Sequence, residues 1–278
     1  GRFGHAADHD LQAEFSCFGD HAAGGGEAAT FGEFDVDALK DAGAAGYVVW
    51  QMPHALAARV AVSTDVVGVQ SGQGFSYLVR SGAQVVLIDA GGDPQATAIV
   101  HELAQLGLGP DAVAAILVTH GHFDHWVGAH AFPNAPLYVG TADHLWVRRL
   151  DLPDAKLPRA VTRLEHPAPY AGTVREVLAA SAIEVAGLRF VSVALPGHTP
   201  GSMAYLCGDV LFTGDALLLT KTGVRPPPWF ISESAADSRR AVTRLATLSF
   251  TTIADGHVGA ARDGKARLER WLADASLF

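Results

Sequence analysis

The chain has 278 residues, with 20 Lys and Arg against 29 Asp and Glu, which gives a formal net charge of −9 at pH 7. Its composition, 49% hydrophobic and 18% charged, is that of a folded globular protein and excludes disorder for the bulk of the chain. The acidic balance disfavours nucleic acid and anionic membranes as partners, because both would repel the protein. The sequence has no run of 18 uncharged apolar residues that would span a membrane, and two cysteines are too few for a disulfide framework.

The N-terminal part of the chain differs from the rest in composition. Residues 1–26 are rich in Gly and Ala and show no sustained periodicity. We interpret residues 1–56 as an N-terminal extension that packs on or over the cleft of a main domain, residues 57–278. A basic start followed by an apolar run is missing, which favours a cytoplasmic location, although a removed leader would leave the same sequence.

From residue 59 the pattern becomes regular. Apolar runs at 75–80 and 84–89 flank Ser81-Gly82 and predict a hairpin. A helix is expected from Pro94 to Gly107, and a buried strand at 114–118. Further along, the pattern predicts helices near 125–131 and 143–150 and a strand near 137–139.

A polar, proline-marked stretch at 151–172 separates a second half. Strands are predicted there at 183–185, 189–193, 203–207, 210–213 and 251–254. A loop at 219–230 precedes a helix from Ser234 to about Leu248, and a last helix is predicted at 263–275. Strands followed by helices in each half indicate sheets inside and helices outside.

The segment 119–125, Thr-His-Gly-His-Phe-Asp-His, directly follows a predicted buried strand. Three imidazoles and a carboxylate suit zinc, iron, manganese or nickel, and the absence of a neighbouring thiolate disfavours a structural zinc site. Gly121 lets the backbone bend so that alternate histidines reach one ion. The candidate ligands in this segment are His120, His122, Asp124 and His125.

Three further candidate ligands stand beside glycines, each just past a predicted strand. They are His198 in the segment 196–201, Asp215 after Thr213-Gly214, and His257 after Asp255-Gly256. A rigid sheet can aim such loop residues at a common point. Together with the first four they supply seven nitrogen and oxygen ligands, enough for two ions.

The order His-x-His-x-Asp-His followed by His, Asp and His is similar to the hallmark of the metallo-β-lactamase fold superfamily, and the segment 87–91 resembles its early aspartate turn. The resemblance implies an α/β (α+β) fold, a four-layer αββα sandwich with the metals at one edge. It also implies a role for each candidate: His120, His122 and His198 hold one ion, Asp124, His125 and His257 hold the other, Asp215 bridges them, and Asp89 orients ligands.

Two divalent metal ions are therefore the expected cofactors, Zn²⁺ first, with Fe or Mn as alternatives. A water shared by two metals about 3.5–4 Å apart can have its pKa lowered from 15.7 to about 7, giving hydroxide at neutral pH. Asp124 is the candidate catalytic residue, because it can hold this hydroxide and pass a proton to the leaving group. No serine or cysteine nucleophile is needed.

Departures from individual branches of the superfamily narrow the function. True β-lactamases lack a bridging aspartate at the position of Asp215, and quorum-quenching lactonases place a tyrosine where Leu218 stands. We do not expect glyoxalase II itself, whose helical C-terminal domain has no counterpart after His257. We also do not expect a nuclease, which needs an added domain or a basic arm, or a flavodiiron protein, whose flavin domain does not fit in this length. These departures favour a stand-alone, glyoxalase II-like or lactonase-like hydrolase of a small ester, thioester or lactone.

Candidate substrate contacts are Trp126, Trp229 and Phe230 as apolar walls of the cleft and Lys221 as a partner for an anionic group. The expected partner is a small molecule, and the helix from Ser234 is equally suited to a homodimer contact and to covering the sheet. Two alternatives stay open. One is an iron oxygenase resembling the persulfide dioxygenases, with a single metal, because the segment 213–217 is similar to theirs. The other is a non-catalytic binding protein on the same fold.

Overall fold

The computed structural model describes residues 59–154, 156–165 and 167–274. The extension assigned to residues 1–56 lies outside the described residues. Among those described, no helix is long and apolar enough to span a bilayer.

One sheet comprises the first seven strands of the described chain, which neighbour one another in chain order. They are β1 (Arg59–Ala61), β2 (Val66–Ser71), β3 (Gly74–Ser81), β4 (Gln84–Ile88), β5 (Val113–Leu117), β6 (Leu137–Gly140) and β7 (Val174–Val177). The first four are antiparallel, and β4 to β7 are parallel. The predicted hairpin is confirmed: Ser81 pairs with Gln84, and Gly82 adopts φ +59° in the turn, a conformation that glycine adopts without strain.

A second sheet has six strands in the order β15-β14-β11-β10-β9-β8. These are β8 (Ala182–Val185), β9 (Leu188–Ala194), β10 (Met203–Cys207), β11 (Val210–Gly214), β14 (Thr252–Asp255) and β15 (Ala260–Ala261). Only β11 and β14 run parallel to each other in this sheet. The segment between them carries a small hairpin, β12 (Leu218–Leu219) and β13 (Val224–Arg225).

Six α-helices accompany the sheets in the described residues. They are α1 (Thr97–Gln105), α2 (Phe123–Trp126), α3 (His144–Val147), α4 (Lys156–Glu165), α5 (Ala235–Val242) and α6 (Gly264–Ala273). Short 3₁₀ segments adjoin three of them, at Val127–Ala131, Thr141–Asp143 and Thr243–Thr247. The helices predicted at 125–131, 143–150 and 234–248 are thus each an α-helical and a 3₁₀ piece.

Three apolar clusters define the layers. The first joins the first sheet to α1 and the segment around Phe132, and the third joins the second sheet to α5 and α6. The middle cluster contains inward-facing residues of both sheets, such as Val86 and Tyr77 of the first and Phe190 and Phe212 of the second. Three interfaces separate four layers, so the expected αββα sandwich is confirmed.

The polar, proline-marked stretch 151–172, for which no helix was predicted, is partly helical. It contains α4, whose third residue is Pro158. Proline is tolerated in the first turn of a helix, because the backbone N–H groups there have no intrahelical partner. The loop expected at 219–230 likewise contains the β12–β13 hairpin.

Contacts between the sheets fix the edge at which the candidate ligands stand. Thr119 follows β5, and its carbonyl oxygen accepts a hydrogen bond of 2.7 Å from the N–H of Met203 at the start of β10. The buried hydroxyl of Tyr205 donates to the carbonyl of Val118 at 2.9 Å. The hydroxyl of Tyr77 lies 2.7 Å from the carbonyl oxygens of both Asp255 and Gly259. The ends of strands from both sheets are therefore held together at this edge.

Candidate metal centre

All seven predicted ligands lie together at this edge of the sandwich. Their ligand atoms form three overlapping groups, and within each group all atoms lie within 4.8 Å of one another. The groups are His120–His122–His198, His120–His125–Asp215 and Asp124–His125–His257. The first and third are the two sets that the resemblance implies, and the second brings Asp215 between them.

The three-histidine group, His120, His122 and His198, consists of imidazoles with facing nitrogens. Nε2 of His120 lies 3.1 Å from Nδ1 of His122 and 3.1 Å from Nε2 of His198. Burial, the main cause, lowers the pKa of His122 and of His198 to about 3, and the pKa of His120 also falls well below its ordinary value. The rings are therefore neutral at pH 7, which is the form that binds a metal ion.

The group formed by Asp124, His125 and His257 is joined to Asp215 by short contacts. Nε2 of His257 lies 2.9 Å from Oδ2 of Asp215, and Nε2 of His125 lies 3.4 Å from its Oδ1. Both ring nitrogens lie 3.8 Å from Oδ2 of Asp124. Asp215 is also 3.5 Å from Nε2 of His198, so its carboxylate adjoins both groups.

The carboxylates of the site demand positive charge. Burial opposes the ionisation of Asp215, yet the imidazoles of His257 and His125 hold its pKa well below the usual range. In turn, burial opposes the protonation of those imidazoles, but the charge of Asp215 raises the pKa of His125 to about 9 and that of His257 to about 10. Two imidazolium ions thus supply the charge that a divalent cation would supply with both rings neutral.

Several buried polar atoms in the described part of the site lack hydrogen-bond partners, which bears on whether its residues are suited to bind metal ions. Within the described residues, Nε2 of His125 and Oδ1 of Asp215 are buried, and neither has a hydrogen-bond partner, since their mutual contact at 3.4 Å is not a hydrogen bond. Such atoms are destabilising unless something satisfies them. Nitrogen and carboxylate donors facing one another in this way suit first-row metals, so the residues present fit the two ions that the sequence predicts.

Asp89 lies beside His125, in the orienting position that the resemblance implies. Its Oδ2 accepts a hydrogen bond of 2.9 Å from Nδ1 of His125, and the backbone N–H and the hydroxyl of Thr119 donate to its two oxygens at 2.7 and 2.8 Å. A carboxylate behind a histidine fixes the orientation and tautomer of the ring, leaving Nε2 free to bind a metal.

Sequence reasoning missed two further buried carboxylates at the site. Asp143 accepts hydrogen bonds from both loops that carry the three-histidine group. Oδ1 of Asp255 accepts from the backbone N–H groups of His257, Val258 and Gly259 at 3.2, 2.7 and 2.9 Å. Burial raises the pKa of both aspartates to about 6. Asp255 had a sequence signal, since it precedes Gly256-His257, whereas the sequence around Asp143 offered none.

Trp126 was expected to line the cleft, and this prediction is wrong. The side chain is 1% exposed and packs in the core between the first sheet and its helices. Its indole N–H donates to the carbonyl of Gly121 at 3.1 Å, so it supports the ligand loop from behind. An aromatic residue that sequence reasoning missed, Trp146, stacks on His122 with ring centroids 5.9 Å apart.

The other predicted substrate contacts fall in two places. Trp229 and Phe230 are 76% and 41% exposed and lie on the 3₁₀ turn Trp229–Ile231. The residues that follow this turn contact the loop of His198. There the N–H groups of Glu233 and Ser234 donate to the carbonyls of His198 and Gly197 at 3.1 and 2.8 Å. Lys221 lies in the β12–β13 turn, whose carbonyl oxygens accept hydrogen bonds from arginines of α6.

Comparison with known proteins identifies the family. The sequence profile described as "Metallo-beta-lactamase superfamily" matches residues 69–257, which include all seven candidate ligands. The chain belongs to the metallo-beta-lactamase superfamily. Its cluster of histidines and aspartates has the composition of a metal site.

Individual relatives are distant. A hydroxyacylglutathione hydrolase of Ectopseudomonas mendocina (strain ymp) is 34% identical over 110 residues, covering 36% of this chain and only 33% of the relative. A probable metallo-hydrolase of Bacillus subtilis (strain 168) is 28% identical over 210 residues, covering 66% of this chain and 78% of the relative. A solved metallo-beta-lactamase family protein of Thermus thermophilus superposes with a TM-score of 0.57 at 26% identity, covering 73% of this chain and 75% of that one.

Proposed function

We propose that this chain uses two divalent metal ions, with Zn²⁺ as the favoured metal, to hydrolyse a small ester, thioester or lactone. The observation that supports the proposal most is the position of Asp215, whose carboxylate adjoins both His198 and the pair His125 and His257. A carboxylate between two nitrogen-rich groups is suited to hold two cations together. The presence of this aspartate also argues against β-lactams as the main substrates.

In this proposal each ligand group holds one ion. His120, His122 and His198 would hold the first ion, Asp124, His125 and His257 would hold the second, and Asp215 would contribute to both. Divalent ions in such a site supply a Lewis acid for a carbonyl oxygen and a hydroxide nucleophile at neutral pH. The buried imidazoles contribute by staying neutral, and Asp89 contributes by holding the ring of His125.

Asp124 is the residue that we assign to proton transfer. Its side chain is 17% exposed, whereas that of Asp215 is 5% exposed, so Asp124 is the more accessible of the two carboxylates. Its backbone packs against Gly92, where an added Cβ would meet Cα of Asp124 at 3.3 Å. In this position the carboxylate would accept the proton of the attacking hydroxide and deliver it to the departing alcohol or thiol, so that Asp124 returns to its ionised form. One proton is released to solvent per turnover, when water replaces the hydroxide that was consumed.

The proposed substrate carries an apolar acyl group. Trp229 and Phe230 form an exposed edge-to-face pair with ring centroids 5.9 Å apart, and Val258, next to His257, is 45% exposed. Exposed apolar side chains near a polar site are suited to bind the apolar part of a ligand. Two relatives named as hydroxyacylglutathione hydrolases add support for an acyl thioester, although this chain covers only 33% and 43% of their lengths.

Metal analysis combined with a substrate panel tests the proposal. We expect two metal ions per chain and chelator-sensitive cleavage of at least one thioester, ester or lactone, with phosphodiesters and β-lactams turned over more slowly. The Asp124→Asn variant tests the role of the carboxylate, and Asp154→Asn, which lies on the surface, is its control. Oxygen uptake with a persulfide substrate and no hydrolysis of any acyl compound would overturn the proposal.

A further inference from the structure

Asp143 is a buried carboxylate between the two loops that carry the three-histidine group. It ends the 3₁₀ turn Thr141–Asp143 that follows β6, and its side chain is fully buried. Its Oδ2 accepts hydrogen bonds from the backbone N–H of Gly121 at 2.8 Å and from the hydroxyl of Thr199 at 2.6 Å. Its Oδ1 accepts from the backbone N–H of Gly201 at 2.7 Å. One side chain therefore joins a loop of the first sheet to a loop of the second.

The backbone segments around Asp143 pack so closely that three neighbouring positions have no room for a Cβ atom and are occupied by glycine. A Cβ added to Gly201 would lie 2.6 Å from Cγ of Asp143, and one added to Gly121 would lie 3.0 Å from its Cβ. A Cβ added to Gly140, at the end of β6, would lie 2.0 Å from the carbonyl oxygen of Gly201. Glycines at all three positions let the two loops close around the carboxylate.

The hydrogen bonds of Asp143 reach the neighbours of three ligands. Gly121 stands between His120 and His122, and Thr199 directly follows His198. By holding Gly121 and Thr199, Asp143 restrains the backbone positions from which the side chains of His120, His122 and His198 extend. In the described part of the chain, no hydrogen bond of Asp143 goes to a residue adjoining Asp124, His125 or His257, the ligands of the other group.

The loop of His257 has its own buried carboxylate. Oδ1 of Asp255 accepts three backbone N–H groups of residues 257–259, and its Oδ2 accepts the N–H of Leu219 at 2.7 Å. Asp255 is fully buried and is the last residue of β14. Asp143 and Asp255 thus each accept hydrogen bonds from backbone N–H groups of ligand loops, but the loops are different.

We propose that Asp143 is a positioning residue for the three-histidine group alone, so that the two proposed ion sites depend on separate buried carboxylates. The inference rests on the proposed two-ion site. An Asn at position 143 has one acceptor oxygen and one donor nitrogen, so it must turn N–H groups toward at least one of the donors that Asp143 satisfies. Removing such a supporting partner typically weakens metal binding about 10- to 100-fold.

The test compares metal affinities in matched variants. Asp143→Asn and Asp255→Asn are loaded with Co²⁺ or Zn²⁺, and each dissociation constant is measured by competition with a chromophoric chelator. Asp209→Asn is the control, because this exposed aspartate bonds to Thr251 at the far end of β11. The visible absorption of bound Co²⁺ reports which ligand group is occupied, and circular dichroism of the metal-free proteins reports folding.

We expect Asp143→Asn to lose one of two ions, with about 10- to 100-fold weaker binding of that ion, while the other keeps its affinity. Asp255→Asn should weaken the other ion, giving a different cobalt spectrum, and Asp209→Asn should match the wild type. Two milder variants at Thr199 give the same readout. Thr199→Val removes one hydrogen bond to Asp143 and should weaken binding of the same ion. Thr199→Ser keeps the hydroxyl and should bind that ion as tightly as the wild type.

The outcomes separate this inference from the proposed function. If Asp143→Asn binds two ions as tightly as the wild type, or loses both ions equally while staying folded, the assignment of Asp143 is wrong and the two-ion proposal stands. If Asp143→Asn does not fold, the Thr199 pair decides in the same way. If the wild-type chain binds fewer than two ions, the two-ion proposal fails and this assignment fails with it.

Discussion

Removing the metal makes the stability of this protein depend on two imidazolium ions. In the absence of metal the pKa of His125 is raised from 6.5 to about 9, because the charges of Asp215 and Asp89 outweigh the penalty of burial. A histidine whose folded pKa lies above its unfolded pKa contributes stability that is complete below pH 6.5 and lost as the pH rises through 9. The pKa of His257 is raised to about 10 and acts in the same direction.

The shift at His125 sets the size of the effect. At about 1.36 kcal/mol per pKa unit it amounts to about 3 kcal/mol of unfolding free energy between pH 6.5 and about pH 9.5. Metal ligands are neutral imidazoles, so the metal-loaded protein does not undergo this loss. The gap in stability between the loaded and metal-free forms should therefore widen by about 3 kcal/mol or more over that range.

Urea unfolding followed by tryptophan fluorescence measures both curves, with chelator for one and excess Zn²⁺ for the other. A His125→Gln variant is the control, since it lacks the titrating group and its metal-free curve should be flatter. If the unfolding free energy of the metal-free protein stays constant or rises between pH 6.5 and about pH 9.5, the protonated imidazole of His125 does not stabilise the fold by pairing with Asp215 and Asp89, and the reasoning is refuted.

Three further predictions concern single residues. Asp124→Asn should lower kcat about 10²–10⁴-fold at saturating metal with little change in circular dichroism, and an unchanged kcat would remove Asp124 from the mechanism. Trp126→Ala should lower the unfolding free energy by about 3–5 kcal/mol, whereas Trp229→Ala should change it by less than about 0.5 kcal/mol; equal losses in urea titrations would contradict the burial of one and the exposure of the other. Gly201→Ala should destabilise by about 1–3 kcal/mol, because the new Cβ meets Asp143, while Gly109→Ala, where nothing lies within 4 Å, should not.

Features that depend on nearby residues could be predicted from the sequence. The β3–β4 hairpin follows from two apolar runs around Ser81-Gly82, and the ligand loop follows from a buried strand that runs into a histidine cluster. The remaining ligands could be found because each stands beside a glycine at the end of a strand. Their convergence rests on the resemblance, and the structure brings all seven together.

Features that depend on distant residues could not be predicted. Asp143 has hydrogen-bond partners 22, 56 and 58 residues away, so no local pattern marks it. Trp126 follows His125 directly, but successive residues of a helix point about 100° apart, so a neighbour of a ligand can face the core. Pro158 favours a loop by its residue type, although a proline in a first turn is compatible with α4.

Anomalous diffraction from crystals of the zinc-loaded protein tests the central claim most directly. Two strong peaks are expected, one within the group of His120, His122 and His198 and one within the group of Asp124, His125 and His257, with Asp215 adjoining both. One peak in a crystal with excess zinc, or two peaks of which one lies away from Asp215, would contradict the account.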